Sequence, residues 1–129
     1  MSKIPQNFRN LLLDETRAFA VLHTFRADNS PVLTVMWFSM DGDDFLFNSV
    51  PKSLKHKNML RNPTVQFVIF DPQNMYRYME ISGTVIDITQ DGALEHNTAL
   101  ARKYDWDDGT FGTNRVIYRV CVDKVRATE

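Results

Sequence analysis

The stretch Val32-Leu33-Thr34-Val35-Met36-Trp37-Phe38 is apolar at every position but Thr34 and shows no alternation of polar and apolar residues. A short run of this kind, bounded by turn residues, predicts a strand buried on both faces. One face meets the core. The other meets something else, either a partner subunit or a flat ligand. Ala27-Asp28-Asn29-Ser30-Pro31 before it is a turn by composition. Asp41-Gly42 after it is a strong hairpin signal. The returning strand places Phe45, Phe47 and Ser49 on one face and Leu46 and Asn48 on the other.

Working outward, further strands follow from alternation. Ala18 to Arg26 alternates Phe19, Val21, His23 and Phe25 with Ala18, Ala20, Leu22 and Thr24. His23 lies on a largely apolar face and reads as a core histidine rather than a catalytic one. Thr64 to Phe70 and Tyr76 to Ile88 are the next two strands, with Gly83 marking a bulge or a close approach of another backbone. Arg115 to Val125 is the last, with Val116, Tyr118, Val120 and Val122 on one face. Residues 6–15 read as a short helix with Pro5 at its start and with Phe8, Leu11 and Leu12 packing on the sheet. Residues 92–104 read as another, with Asp91 as N-cap and Leu94, Ala101 and Tyr104 on one face. The polar loop 105–114 carries Trp106 and Phe111, which fold over a pocket or tack the loop down. Six strands joined mostly by short turns predict antiparallel pairing, and a small core predicts closure into a barrel.

Between the returning strand and Thr64 lies the densest positive charge in the chain, Ser49-Val50-Pro51-Lys52-Ser53-Leu54-Lys55-His56-Lys57-Asn58-Met59-Leu60-Arg61-Asn62-Pro63. Lys52, Lys55, Lys57 and Arg61 fall within about three helical turns. Hydroxyls at Ser49 and Ser53 stand at the helix start, and Asn62-Pro63 stops the helix. Free N–H groups and the helix dipole attract an anion there, and lysines add full charges. The same run also reads as a solvated, lysine-rich face.

The whole chain, residues 1–129, suits one domain. Its 43% hydrophobic content supports a core, and nine phenylalanines favour β structure. A formal charge of −1 gives no global attraction to nucleic acid, so any anion site must be a local cluster. Cys121 is the only cysteine, reads as a small core residue, and suits a cytoplasmic location. No signal peptide is expected, and no segment is long enough to span a membrane as a helix. A Gly-x-Gly-x-x-Gly turn, a Walker-type loop and a nucleophile elbow are all missing. His23, His56 and His96 sit in no metal-ligand spacing, so no metal is expected. Asp41, Asp43 and Asp44 are explained by solvation at a hairpin tip. An anion clamp beside an apolar, aromatic-bearing strand is what remains, and it fits a cofactor with a phosphate and a flat ring.

The succession Pro31 to Phe38, Asp41-Gly42-Asp43, Ser53-Leu54-Lys55, Arg61-Asn62-Pro63 and Arg77-Tyr78-Met79-Glu80-Ile81-Ser82-Gly83 resembles the pyridoxamine-phosphate-oxidase-like split-barrel family. It is most similar to the flavin/deazaflavin oxidoreductase branch, which includes enzymes using coenzyme F420. The resemblance covers roughly residues 10 to 125. It implies a six-stranded antiparallel split β-barrel with short flanking helices, a homodimer, and two cofactor sites at the subunit interface. It implies that Thr34, Val35, Met36 and Trp37 lie along the cofactor ring, and that Ser49, Ser53 and Lys55 approach the phosphate. Lys57 joins them by proximity, and Arg77 matches an arginine that reaches the cofactor from the other subunit. Leu54 stands where pyridoxamine phosphate oxidases carry arginine, and the Arg-rich C-terminal segment of those enzymes is missing, which argues against vitamin B6 chemistry.

On this resemblance the expected function is hydride transfer from reduced F420 to a small unsaturated or conjugated substrate. The cofactor carries the chemistry. Tyr78, Tyr104 and Tyr118 are available proton donors, and none is assigned. FMN in a reductase of the same fold is the alternative cofactor. A non-catalytic flavin-binding or sensor protein and a cofactor-free dimeric module are the other two readings.

Overall fold

Two residues, Trp37 and Phe38, separate the two ends of the sheet. The computed structural model describes residues 2–106 and 112–129. Its strands are β1 (Ala20–Phe25), β2 (Pro31–Met36), β3 (Ser39–Asp41), β4 (Asp44–Ser49), β5 (Thr64–Asp71), β6 (Asn74–Thr89) and β7 (Val116–Thr128). Among the described residues these seven form one antiparallel sheet in the order β2-β1-β5-β6-β7-β4-β3. The end strands β2 and β3 are neighbours in the chain, joined only by residues 37 and 38. Such a short link forces the sheet to curl until its two ends nearly meet. The result is a barrel with a seam between β2 and the β3–β4 hairpin.

The expected count of six strands becomes seven. The apolar run breaks at Trp37, where the chain crosses the seam, and β3 is a separate strand pairing Ser39 with Leu46 and Asp41 with Asp44. Gly42 supplies the positive φ of 61° that the hairpin turn requires. β2 is not covered on both faces within the chain. Leu33 is 66% and Val35 64% exposed, so one face of this edge strand is open.

The barrel interior is packed with phenylalanine. Phe45 lies 5.4 Å from the ring of Phe38 and 5.0 Å from that of Phe67, and Phe47 lies 5.3 Å from Phe67. Leu22, Ile69, Met79, Ile81 and Tyr118 complete the centre. Gly83 is a close approach, as its position predicts. A Cβ there would sit 2.7 Å from the Cys121 carbonyl oxygen, at a shift of register between β6 and β7.

Helix α1 (Leu54–Arg61) docks on β1. Its buried Asn58 donates to Thr24 Oγ1 at 3.1 Å, and Arg61 donates to the Phe25 carbonyl at 2.7 Å. Helix α2 (Ala93–Lys103) covers the seam side. Its N-cap is Gly92 in the left-handed conformation rather than Asp91, because the turn before it needs φ of 74°. Leu94 is exposed, and the buried face is Ala93, Asn97, Leu100 and Ala101. The N-terminal helix is two 3-10 segments, Gln6–Leu12 and Asp14–Thr16, with Phe8, Leu11 and Leu12 buried as expected.

Three more expectations change. β1 turns Ala20, Leu22 and Thr24 inward, so His23 is on the outer face and not in the core. There its Nδ1 meets Gln66 Oε1 at 3.1 Å, while Nε2 is buried without a partner. Cys121 is half-buried, on the face of β7 opposite Val120. The hairpin aspartates are ion-paired, Asp43 to Arg9 at 2.9 Å and Asp41 and Asp44 to Arg119 at 2.7 and 3.1 Å. Among the described residues no helix is long and apolar enough to cross a membrane.

Candidate functional site

A cavity of about 310 Å³ opens at the barrel seam. β2 and the link contribute Thr34, Val35, Met36 and Trp37. The end of β4 contributes Asn48, Ser49 and Val50. Lys55 comes from α1, Asn97 and Leu100 from α2, and Arg115 from the residue before β7. Among the described residues β2 pairs with β1 alone. Its second edge therefore offers backbone N–H and C=O groups to whatever occupies the seam.

Two cations face this cavity, and none of the described lining residues is acidic. Burial, and secondarily the charge of Arg115, lowers the pKa of Lys55 below the usual lysine range. Burial also lowers that of Arg115, which stays cationic as arginine does in proteins. Two like charges held side by side in one cavity favour an anionic guest.

The guanidinium is fixed from two elements. Arg115 Nε donates to Asn48 Oδ1 at 2.8 Å, and Nη2 donates to Asn97 Oδ1 at 3.1 Å. Asn48, which is buried, sends its own amide hydrogens to the Ala93 carbonyl at 2.9 Å and to His96 Nδ1 at 3.0 Å. His96 Nε2 lies 2.8 Å from Ser39 Oγ. Burial, then the Arg115 charge, lowers the His96 pKa to about 4, so the ring is neutral at neutral pH.

At the start of α1, Ser53 caps the helix by accepting from the His56 N–H at 3.2 Å. Ser49 donates to Ser53 Oγ at 3.2 Å. Both hydroxyls thus stand at a helix N-terminus, beside Lys55. On the opposite wall Trp37 stacks on Tyr104, with ring centres 5.2 Å apart and planes 6° from parallel, and meets the edge of Trp106 at 6.3 Å. Tyr104 Oη donates to the Ala18 carbonyl and accepts from the Phe38 N–H. Lys103 Nζ donates to the Phe38 carbonyl at 2.7 Å. The end of α2 therefore pins the Trp37–Phe38 link against the sheet.

Of the residues singled out in the sequence, Thr34, Val35, Met36, Trp37, Ser49 and Lys55 line this one cavity, with Ser53 hydrogen-bonded at its edge. Lys57 is exposed and lines none of it. Arg77 is engaged elsewhere in the chain, with Asp71 at 3.3 Å, Glu129 at 3.5 Å and Asn10 at 2.8 Å, over the ring of Phe8. Of the three tyrosines, the half-buried Tyr104 and the buried Tyr118 have hydrogen-bond partners, Tyr118 sharing a 2.6 Å hydrogen bond with His56 Nδ1. Burial raises the pKa of both. Trp106 borders the site, whereas Phe111 lies outside the described residues.

Asn48, Asn97 and Arg115 are not among the site residues that the sequence singles out. The signal for Arg115 was its place one residue before β7, whose Val116 and Ile117 pair with Ser49 and Asn48. The guanidinium missing at Leu54 is thus present in the cavity, delivered by a different element.

The family model described as pyridoxamine 5′-phosphate oxidase matches residues 4–129. The chain belongs to this family. Among solved structures it is similar to an F420 reductase, at 32% identity and a TM-score of 0.86, over 95% of this chain and 98% of that one. General stress protein 26 from Bacillus anthracis shares the fold at 20% identity and a TM-score of 0.69, over 95% of each chain. HupZ from Group A Streptococcus shares it at 17% identity and a TM-score of 0.70, over 96% and 93% of the two chains. No curated protein matches the sequence. The fold is one used by flavin- and deazaflavin-type oxidoreductases.

Proposed function

We propose that this protein is an oxidoreductase that holds the deazaflavin coenzyme F420 in the seam cavity and directs its hydride to a small unsaturated or conjugated substrate. The observation that carries this reading is the pairing of Lys55 and Arg115 in one cavity, beside the free edge of β2 and the indole of Trp37. A phosphate fits between two cations at a helix N-terminus. A flat, polar-edged ring fits an open strand edge, where backbone donors and acceptors are unspent on a neighbouring strand. The preference for F420 rests on the 32% identity to an F420 reductase.

When bound, such a cofactor supplies the hydride chemistry. The residues of the chain bind and orient. Lys55 and Arg115 neutralise the phosphate, and Ser49 offers it a hydroxyl. Thr34 to Met36 present backbone groups, and Trp37 walls off solvent. Tyr104 and Tyr118 keep their protons at neutral pH and are held by structural hydrogen bonds, so neither is assigned as an acid.

Fluorescence titration with F420 and with FMN tests the reading. F420 is expected to bind more tightly by at least about tenfold, or 1.4 kcal/mol. Tight binding of FMN alone would move the protein to an FMN reductase or a flavin-binding protein of the same fold. Binding of neither would end the cofactor reading.

The working unit is proposed to be a homodimer. The exposed Leu33 and Val35 continue onto an outer face bearing Val21 and Val68 around a second cavity of about 310 Å³, where His23 Nε2 lacks a partner. A second copy would cover that surface and the open side of β2 together. Light scattering at micromolar concentration should give twice the 15.0 kDa chain mass, and Val35→Lys should give the chain mass. A monomeric parent protein would remove the partner from the site.

A further inference from the structure

We propose that His96 is a positioning residue for the anion clamp, holding Arg115 through Asn48. Its value for function rests on the cofactor reading above; the hydrogen-bond relay itself does not.

The relay follows from donor and acceptor arithmetic. Asn48 has two amide hydrogens and one carbonyl oxygen inside the protein. The oxygen must face Arg115 Nε, which can only donate. The amide nitrogen then faces the Ala93 carbonyl, and its second hydrogen needs an acceptor. His96 Nδ1, at 3.0 Å, is that acceptor. This fixes the imidazole tautomer, with the proton on Nε2, where Ser39 Oγ accepts it at 2.8 Å. Ser39 opens β3, Asn48 is the residue before the end of β4 and His96 lies on α2, so the chain Ser39–His96–Asn48–Arg115 ties the β3–β4 hairpin and α2 to one guanidinium. Asn97, next to His96 on the same helix, holds the other side of that guanidinium directly. Without the His96 acceptor a buried amide hydrogen is left unpaired, and the Asn48 side chain is free to rotate away from Arg115. A held guanidinium loses less freedom when it grips a phosphate.

The test compares His96→Leu with His96→Asn. The two replacements are of similar size, but only Asn places an acceptor oxygen where Nδ1 stands. In the ligand-free protein, NMR of the Arg115 Nε–H is expected to show hydrogen exchange about tenfold faster in His96→Leu, the scale of one lost buried hydrogen bond. In His96→Asn it should stay close to the parent rate. Titration with F420 and with FMN should show a parallel loss in His96→Leu and its rescue in His96→Asn. An unchanged Nε–H exchange rate in His96→Leu overturns the relay, as does an equal effect of the two variants. The parent protein gives a reading without any variant. The His96 ring ¹⁵N shifts should report a bare Nδ1 at neutral pH, and a protonated Nδ1 would overturn the proposal. If neither cofactor binds the parent, the cofactor reading falls, and the exchange rates alone still decide the relay.

Discussion

Arg115→Met is expected to weaken cofactor binding by roughly 100-fold, about 2–3 kcal/mol, the scale of losing charge-assisted hydrogen bonds to a phosphate. The effect is large because the guanidinium is already held by Asn48 and Asn97 and needs no ordering on binding. Lys55→Ala should cost about 1–3 kcal/mol, since a lysine is a point charge on a flexible stem. The double variant should lose more than the sum of the two, because in each single variant the remaining cation is relieved of repulsion and holds the anion better. The pH dependence has a definite sign. Binding an anion favours the charged form of Lys55, so its pKa rises on binding. Affinity is then full below the pKa of the free state and falls as pH rises through it. Burial and Arg115 set that free-state pKa below the ordinary 10.5, so the decline should begin earlier than a normal lysine would give. Arg115→Met should move the decline to higher pH, and Lys55→Arg should abolish it. Fluorescence titrations between neutral and alkaline pH measure all of these. Full affinity in Arg115→Met would place the phosphate outside the seam.

Much of this site is legible in the sequence because seven of its residues come from two contiguous segments. Thr34 to Trp37 and Ser49 to Lys55 each announce themselves, the first by an unbroken apolar run and the second by charge beside a helix start. The Asp41-Gly42 turn and the Asn62-Pro63 stop are local chemistry and stand where the sequence puts them. What escapes is non-local. Arg115 enters the cavity because β7 pairs with β4, a fact of sheet order that no window around residue 115 contains. β3 is three residues long, too short for alternation to register, so the apolar run before it reads as one strand through Phe38. Arg77 shows the reverse case. Its charge is plain in the sequence, but Asp71 and Glu129, which hold it in this chain, come from the turn of a hairpin and from the C-terminus.

Phe45→Ala should destabilise the fold by about 3–5 kcal/mol, the usual cost of truncating a buried aromatic. That is a large share of the roughly 5–15 kcal/mol that holds a domain of this kind together. Phe45 is fully buried and touches the rings of Phe38, Phe47 and Phe67. It also pairs across the sheet with Met40 on β3 and Val120 on β7, so it sits where the last strands meet the centre of the barrel. The consequence reaches the site through Phe38. That ring packs on Phe45, while its backbone carbonyl receives Lys103 and its N–H meets Tyr104. Tyr104 in turn is the surface on which Trp37 stacks. With the Phe45 ring gone, the link across the seam loses its inner support, and the wall of the cavity loosens before the sheet unfolds. Cofactor affinity should therefore fall in Phe45→Ala under conditions where circular dichroism still shows a folded protein, whereas Phe45→Leu should keep most of both properties. Urea unfolding measures the first effect and titration of the folded variant the second. A lowered midpoint with unchanged affinity would mean that the Trp37–Phe38 link holds its place through α2 alone, and that the core and the cofactor wall are mechanically separate.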